Sequence, residues 1–257
     1  MLFLSTLFAA GFAFATVSSA QSTYGSQPQN KGTVQVQSLG SRKQCTVYPH
    51  GGNVSDVSNI LHAFSECNNG GTIVFPEDQN YWIASKLNPV VRDVTIEWRG
   101  IWTYSPDIEY WRQPQNHYPI AFQNHAASFV LTGDGIHIDG YGTGMIHGNG
   151  DTWYTAEAGD TQPGRPMPFV FWNVSDVTVS NFEVYQPPLW SLNIMNGTDM
   201  YFTNITCNAT ASQAPYGKNW VQNTDGFGEI ALYRSETTAF ADCSVIVQTR
   251  WMPETST

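Results

Sequence analysis

The sequence has 257 residues, 41% hydrophobic and only 12% charged, with many aromatic and Gly residues, a balance that fits a folded chain of strands and turns and excludes a disordered one. Eleven basic residues against twenty-one acidic ones give a net charge of -10, and the basic residues are scattered singly. That distribution excludes a nucleic-acid partner, and an anionic ligand would need a local basic patch to overcome the general repulsion.

Residues 1–20 hold an apolar segment from Leu7 to Phe14 and end in Ser18-Ser19-Ala20, the small residues a signal peptidase accepts. They read as a cleaved secretory signal, although the first basic residue is Lys31. The apolar core is too short to span a bilayer, and no later segment looks transmembrane, so no membrane partner is expected. Five Asn-x-Ser/Thr acceptors, at Asn53, Asn173, Asn196, Asn204 and Asn208, support export to the extracellular space and are the candidate glycosylation sites. In an oxidising compartment the four cysteines can form disulfides. Cys45 and Cys67 bracket the first element and are the expected bridge, while Cys207 and Cys243 are left open. The six histidines are scattered and no Cys/His spacing suggests a metal, so neither metal nor cofactor is expected.

Residues 21–44, rich in Ser, Gln, Gly and Thr, read as a flexible N-terminus. The fold is expected to start near Cys45. Asp56 is placed to cap a short helix with Val57, Ile60, Leu61 and Phe64 on one face, stopped by Asn68-Asn69-Gly70-Gly71. The strand Thr72-Ile73-Val74-Phe75 follows, so the helix suits a cap over the first open edge of a sheet stack.

From Asp93 onward short strands recur between Gly, Asn and Pro residues: Val94-Thr95-Ile96, Ile136-His137-Ile138, Val177-Thr178-Val179, Met200-Tyr201-Phe202 and Thr238-Ala239-Phe240. The last three share an extension, in which Val179 and Phe202 are 202 minus 179, or 23, residues apart. The other steps are close to twice a solenoid unit of about twenty residues. An all-β parallel β-helix follows, spanning 45–248, with the N-terminal helix as its cap. An all-β sandwich is the alternative, with sparse hairpin signals against it.

The polar stretch from Gly148 to Pro166 is too long for a turn and is expected to be a surface excursion beside a binding face. Trp153, Tyr154, Trp172, Trp190 and Trp220 are either sugar-stacking rings or core. Asn223-Thr224-Asp225-Gly226 is by itself a turn sequence.

Gly148-Asn149-Gly150 with Trp153-Tyr154, then Arg165-Pro166 through Trp172-Asn173, Pro187-Pro188-Leu189-Trp190 and Asn223-Thr224-Asp225-Gly226-Phe227 appear in an order that resembles secreted fungal exopolygalacturonases of glycoside hydrolase family 28. The resemblance implies a right-handed parallel β-helix that hydrolyses α-1,4-galacturonosyl bonds of pectin from the chain end with inversion, without metal or cofactor, and a monomer is expected. It implies Asp225 as a catalytic carboxylate that positions and deprotonates water, with Asn223 shaping the strand and the substrate site beside it. Inversion needs a second carboxyl as acid, roughly 6.5–9.5 Å from the base.

Beyond Phe227 the chain departs from that pattern. Gly228 stands where an Asp is usual, and Thr249-Arg250-Trp251 follows where Gly-Asp-Asp-Cys is expected. The Asp-Asp pair, the Gly-His-Gly and the Arg-x-Lys are absent, Asp242 falls 17 residues after Asp225 (242 minus 225), short of a coil, and 249–257 read as an atypical tail. Glu229 and Glu236 are expected in solvent-facing connections. The expectation is a truncated or altered polygalacturonase with impaired activity. A non-catalytic glycan-binding β-helix and a rhamnogalacturonan hydrolase are the alternatives.

Overall fold

The structure, a computed structural model, describes residues 31–232. The signal-like residues 1–20, the repeat around Phe240, Glu236, Asp242, Cys243 and the tail 249–257 lie outside the described residues.

Strands form where apolar residues alternate with polar ones, because alternate side chains then face one interior. Ile73 and Phe75 point inward from Thr72–Phe75, as do Val94, Ile96 and Trp98 from Val90–Trp98. Ile73 pairs with Ile96, Ile96 with Ile138, Ile138 with Val179 and Val179 with Phe202, every pair in parallel register. One line of like residues thus runs through successive rungs of a stack, which rules out two facing sheets. The architecture is a right-handed parallel β-helix.

In chain order the elements are β1 (Thr33–Leu39), β2 (Arg42–Tyr48), α1 (Val57–Glu66), β3 (Thr72–Phe75), β4 (Asn80–Ile83), β5 (Val90–Trp98), β6 (Ile101–Tyr104), α2 (Ile108–Arg112), β7 (Tyr118–Ile120), β8 (His125–Ala127), β9 (Val130–Asp139), β10 (Met145–His147), α3 (Gly150–Glu157), β11 (Pro166–Met167), β12 (Val170–Tyr185), β13 (Leu192–Asn208) and β14 (Phe227–Leu232). The coils have three sides. Side A stacks β2, β3, β5, β9 and the middles of β12 and β13. Side B stacks β4, β6, β10 and the ends of β12 and β13. Side C stacks the starts of β9, β12 and β13 with β14.

The long strands turn corners without breaking, and asparagine is the device. Asn173 and Asn181 in β12, and Asn196 and Asn204 in β13, all take left-handed backbone angles with φ between 50° and 63°. That region costs an ordinary L-residue about 1–2 kcal/mol, and Asn pays least because its short amide bonds locally. Here the amides stack: Asn196 Nδ2 donates to Asn173 Oδ1 at 2.7 Å, and Asn204 Nδ2 to Asn181 Oδ1 at 2.8 Å. Asn181 Nδ2 continues the second ladder to Asp139 at 3.0 Å.

The 23-residue step holds between β12 and β13, where Val179 pairs with Phe202. The longer steps do not contain two coils. Ile96 pairs directly with Ile138, 42 residues on (138 minus 96), and Ile138 with Val179, 41 on (179 minus 138). Each is one coil swollen by an insertion, α2 with β7 and β8 in the first, α3 with β11 in the second. Both insertions leave at the corner between sides B and C. Inside, Phe129, Phe169 and Phe171 stack at centroid distances of 4.5 and 4.3 Å, and Phe202 and Phe227 extend the column edge-to-face.

The N-terminal end differs from expectation in two ways. Residues 33–44 belong to an antiparallel hairpin, β1 on β2, that precedes the first coil, where the sequence suggested flexibility through residue 44. Val34 and Val36 alternate with polar residues, and Gly40 at φ 66° makes the turn. Helix α1 lies where expected, but Asp56 does not cap it. Its buried carboxylate instead accepts from His50 N, His50 Nδ1 and Trp82 N, each at 2.8 Å, tying the loop before the helix to β4. The expected Cys45–Cys67 disulfide is present, with Cα atoms 6.0 Å apart.

Asp56→Ala should therefore destabilise the fold by about 2–4 kcal/mol, because it orphans backbone donors rather than a helix end. Asp56→Asn should recover part of the loss, and the urea midpoints of the three proteins measure both.

Candidate active site on the outer flank

Asp225 lies at the end of the connection between β13 and β14, whose backbone is held by the preceding coil. Ser191 N donates to the Asp225 carbonyl at 2.8 Å and Leu192 N to the Gly226 carbonyl at 3.1 Å, so this segment already runs as the next rung. Phe227 pairs with Leu192, and continuing that register two residues back along both chains brings Asp225 opposite Trp190. The Asp225 side chain is exposed, Trp190 is half-buried, and both stand at the start of side C. Asn223 adopts φ 58° and is exposed, while buried Thr224 donates its hydroxyl to the Val221 carbonyl at 2.7 Å and closes the turn. Asn223 and Asp225 thus lie on the surface of one tight turn.

What holds that turn is the stretch read from sequence as a polar surface excursion. It contains α3, and Trp153, Tyr154, Glu157 and Arg165 are all buried. Arg165 Nε donates to Glu157 Oε2 at 2.6 Å, while its Nη1 donates to the carbonyls of Gln222 at 3.0 Å and Pro188 at 3.3 Å. Glu157 is neutralised from the other side by Arg112 Nη2 at 2.7 Å and accepts from Gln162 N at 3.1 Å. The Tyr154 hydroxyl donates to the Pro187 carbonyl, and Asp151 accepts from Ser212 N at 2.7 Å. One buried ion-pair cluster therefore clamps both the Pro187–Trp190 chain and the loop that delivers Asp225.

The aromatic candidates divide accordingly. Trp153 and Tyr154 are core, so they are corrected as sugar contacts. Trp220 is half-buried and packs against the main core, while Trp172 stands outward on side C with 36% of its surface exposed. Trp190 is flanked by Phe122 at 6.1 Å and His125 at 4.9 Å. The sequence did not single out Arg165, Glu157, Phe122 or His125 for a role. Arg165 was visible only as one member of a motif, because a lone Arg gains meaning from a partner that the fold supplies.

Among the candidate glycan acceptors, Asn53, Asn173, Asn196 and Asn204 are exposed and Asn208 is half-buried. Glu229, expected in a connection, pairs with Ile194 inside β14. Among the described residues no group of His, Cys, Asp and Glu could hold a metal ion, and no helix is long and apolar enough to cross a membrane.

The outer flank of the β-helix thus carries an exposed Asp225 on a backbone held by hydrogen bonds, with the half-buried Trp190 on the preceding rung. The family description Glycosyl hydrolases family 28 matches residues 70–248. An Aspergillus niger protein bearing the name galacturan 1,4-alpha-galacturonidase C is 63% identical over 79% of this chain and 48% of its own length. Exopolygalacturonase X-2 of Emericella nidulans is 32% identical over 73% of the chain and 40% of its own length. Among solved structures, the endo-xylogalacturonan hydrolase of Aspergillus tubingensis superposes with a TM-score of 0.62 at 29% identity, over 72% of this chain and 47% of that one. The chain belongs to glycosyl hydrolases family 28. It spans about half the length of the curated relatives it matches.

Arg165→Met should cost about 3–5 kcal/mol, since it leaves Glu157 buried with less compensation. Amide exchange should rise first around residues 222–226, ahead of the β12–β13 ladder. Arg165→Lys should restore little, because a point charge cannot serve Glu157 and two carbonyls at once.

Proposed function

We propose that the chain is the galacturonan-binding part of a secreted polygalacturonase, in which Asp225 serves as the carboxylate base that orients and deprotonates the attacking water. The observation that carries this reading is Asp225 itself: exposed, fixed by Ser191 and Gly226 backbone bonds, and beside Trp190. Names of relatives add the polymer and the mode, since they refer to galacturan 1,4-alpha-galacturonidase and exopolygalacturonase. Exo attack with inversion would release single galacturonate units from pectin or polygalacturonic acid. The apolar segment near the N-terminus and the four exposed Asn-x-Ser/Thr acceptors support an extracellular setting.

In inverting hydrolysis the base removes a proton from water as water attacks the anomeric carbon, while an acid protonates the departing oxygen. Asp225 supplies the first half. Gly228 and Thr249-Arg250 stand where the family pattern carries acids, so the second half has no counterpart at those positions. This favours a second reading in which the chain holds galacturonan and turns it over slowly or not at all.

The secreted protein incubated with polygalacturonic acid should release reducing ends slowly. Asp225→Asn should reduce that rate by about 10²–10⁴-fold with retention on the polymer unchanged. Retention with no turnover by the unaltered chain selects the binding reading, and neither retention nor turnover removes both.

A further inference from the structure

We infer that Phe122, His125 and Trp190 form a sugar-ring subsite for a galacturonosyl residue next to Asp225. The inference rests on the galacturonan reading and adds to it the residues that grip the ring.

Trp190 is mounted on the outer surface of side C by a small apolar cluster separate from the main core, with Val130, Val170 and Met195 among its members. Against it stands the loop from Ala121 to His125, which joins β7 to β8. Gln123 and Asn124 in that loop both take left-handed angles, φ 50° and 55°. Two adjacent non-glycine residues there cost about 1–2 kcal/mol each. The conformation places His125 edge-on to Trp190, with ring planes at 77°, and leaves Phe122 41% exposed 6.1 Å from the indole. Capping the small cluster needs only Trp190. It does not account for an exposed Phe122 held beside it.

A pyranose ring offers an apolar C–H face bordered by hydroxyls, which suits an aromatic wall with a polar edge. His125 Nε2 lies 3.0 Å from Gln123 Oε1, so a donor and an acceptor border the rings. Burial pushes the His125 imidazole below its ordinary pKa, which keeps it uncharged near neutrality. The box carries no formal charge and grips the ring rather than the carboxylate, so its share of binding should resist salt. Ser191 N donates to the Asp225 carbonyl, and continuing the Leu192–Phe227 register back along both chains brings Asp225 opposite Trp190, so a ring in the box would lie close to that carboxylate.

Electrophoresis through gels containing polygalacturonic acid tests the assignment. Wild type should be retarded, and Phe122→Ala should weaken binding about threefold to tenfold, with the deficit persisting at high salt. Tyr201→Ala, an exposed aromatic on side A, should behave as wild type. Phe122 is at the surface, so its removal should leave the urea midpoint unchanged. Equal retardation of Phe122→Ala and wild type overturns the subsite and leaves the galacturonan reading standing. Wild type that polygalacturonic acid does not retard overturns both.

Discussion

The hydrogen-bonded ladder between β12 and β13 sets the position of everything outside the coil. It runs from Val170 paired with Asn193 to Tyr185 paired with Asn208, around three sides and through two asparagine corners. Parallel rungs about 4.8 Å apart leave no freedom of register once inward residues are buried, because a one-residue slip would turn Val177, Val179 and Phe182 outward. The corners are equally constrained, since the stacked amides at Asn173–Asn196 and Asn181–Asn204 require a left-handed residue at the same place in each coil. With the coil path fixed, variation is confined to insertions between rungs.

Those insertions share one corner, which is why the residues of the candidate site gather there. The β7–β8 insertion brings His125 to Trp190, the α3 insertion brings Glu157 and Arg165 beneath Gln222, and the β13–β14 connection brings Asp225. Burying a carboxylate and guanidinium costs several kcal/mol per ion, and replacement by apolar residues often stabilises a core. An apolar substitute could not donate to the Gln222 and Pro188 carbonyls, however, and two chains would lose their common anchor. The ion pair is better understood as fixing position than as adding stability.

How much of this was legible follows from where each signal resides. The inward alternation, the 23-residue step and the Cys45–Cys67 bridge depend on local pattern, and the structure has each of them. The 41- and 42-residue coils were misread as pairs because length alone cannot separate two plain coils from one with an insertion. Residues 150–157 looked like a polar loop since the helix buries only Trp153, Tyr154 and Glu157 beyond its first residue, and Glu157 counts as polar until Arg112 and Arg165 meet it. Asp56 had the right position for a cap. Its carboxylate was taken by His50 and Trp82, partners that only the winding of the first coil brings near.

The same geometry limits where Asp225, read as a base, could find a partner acid among the described residues. A separation of roughly 6.5–9.5 Å corresponds to one or two rungs of about 4.8 Å with some lateral offset. Toward the N-terminus, the side C strands carry Phe129 to Leu131, Val170 to Trp172 and Leu192 to Met195, and none of these is acidic. Within β14, Glu229 pairs with Ile194 of β13. Those earlier rungs therefore offer Asp225 no second carboxyl for protonating a leaving oxygen. On the proposed reading the candidate base and the aromatic wall both rest on the β12–β13 ladder and need no acid to stay in place, so binding can survive changes that abolish turnover.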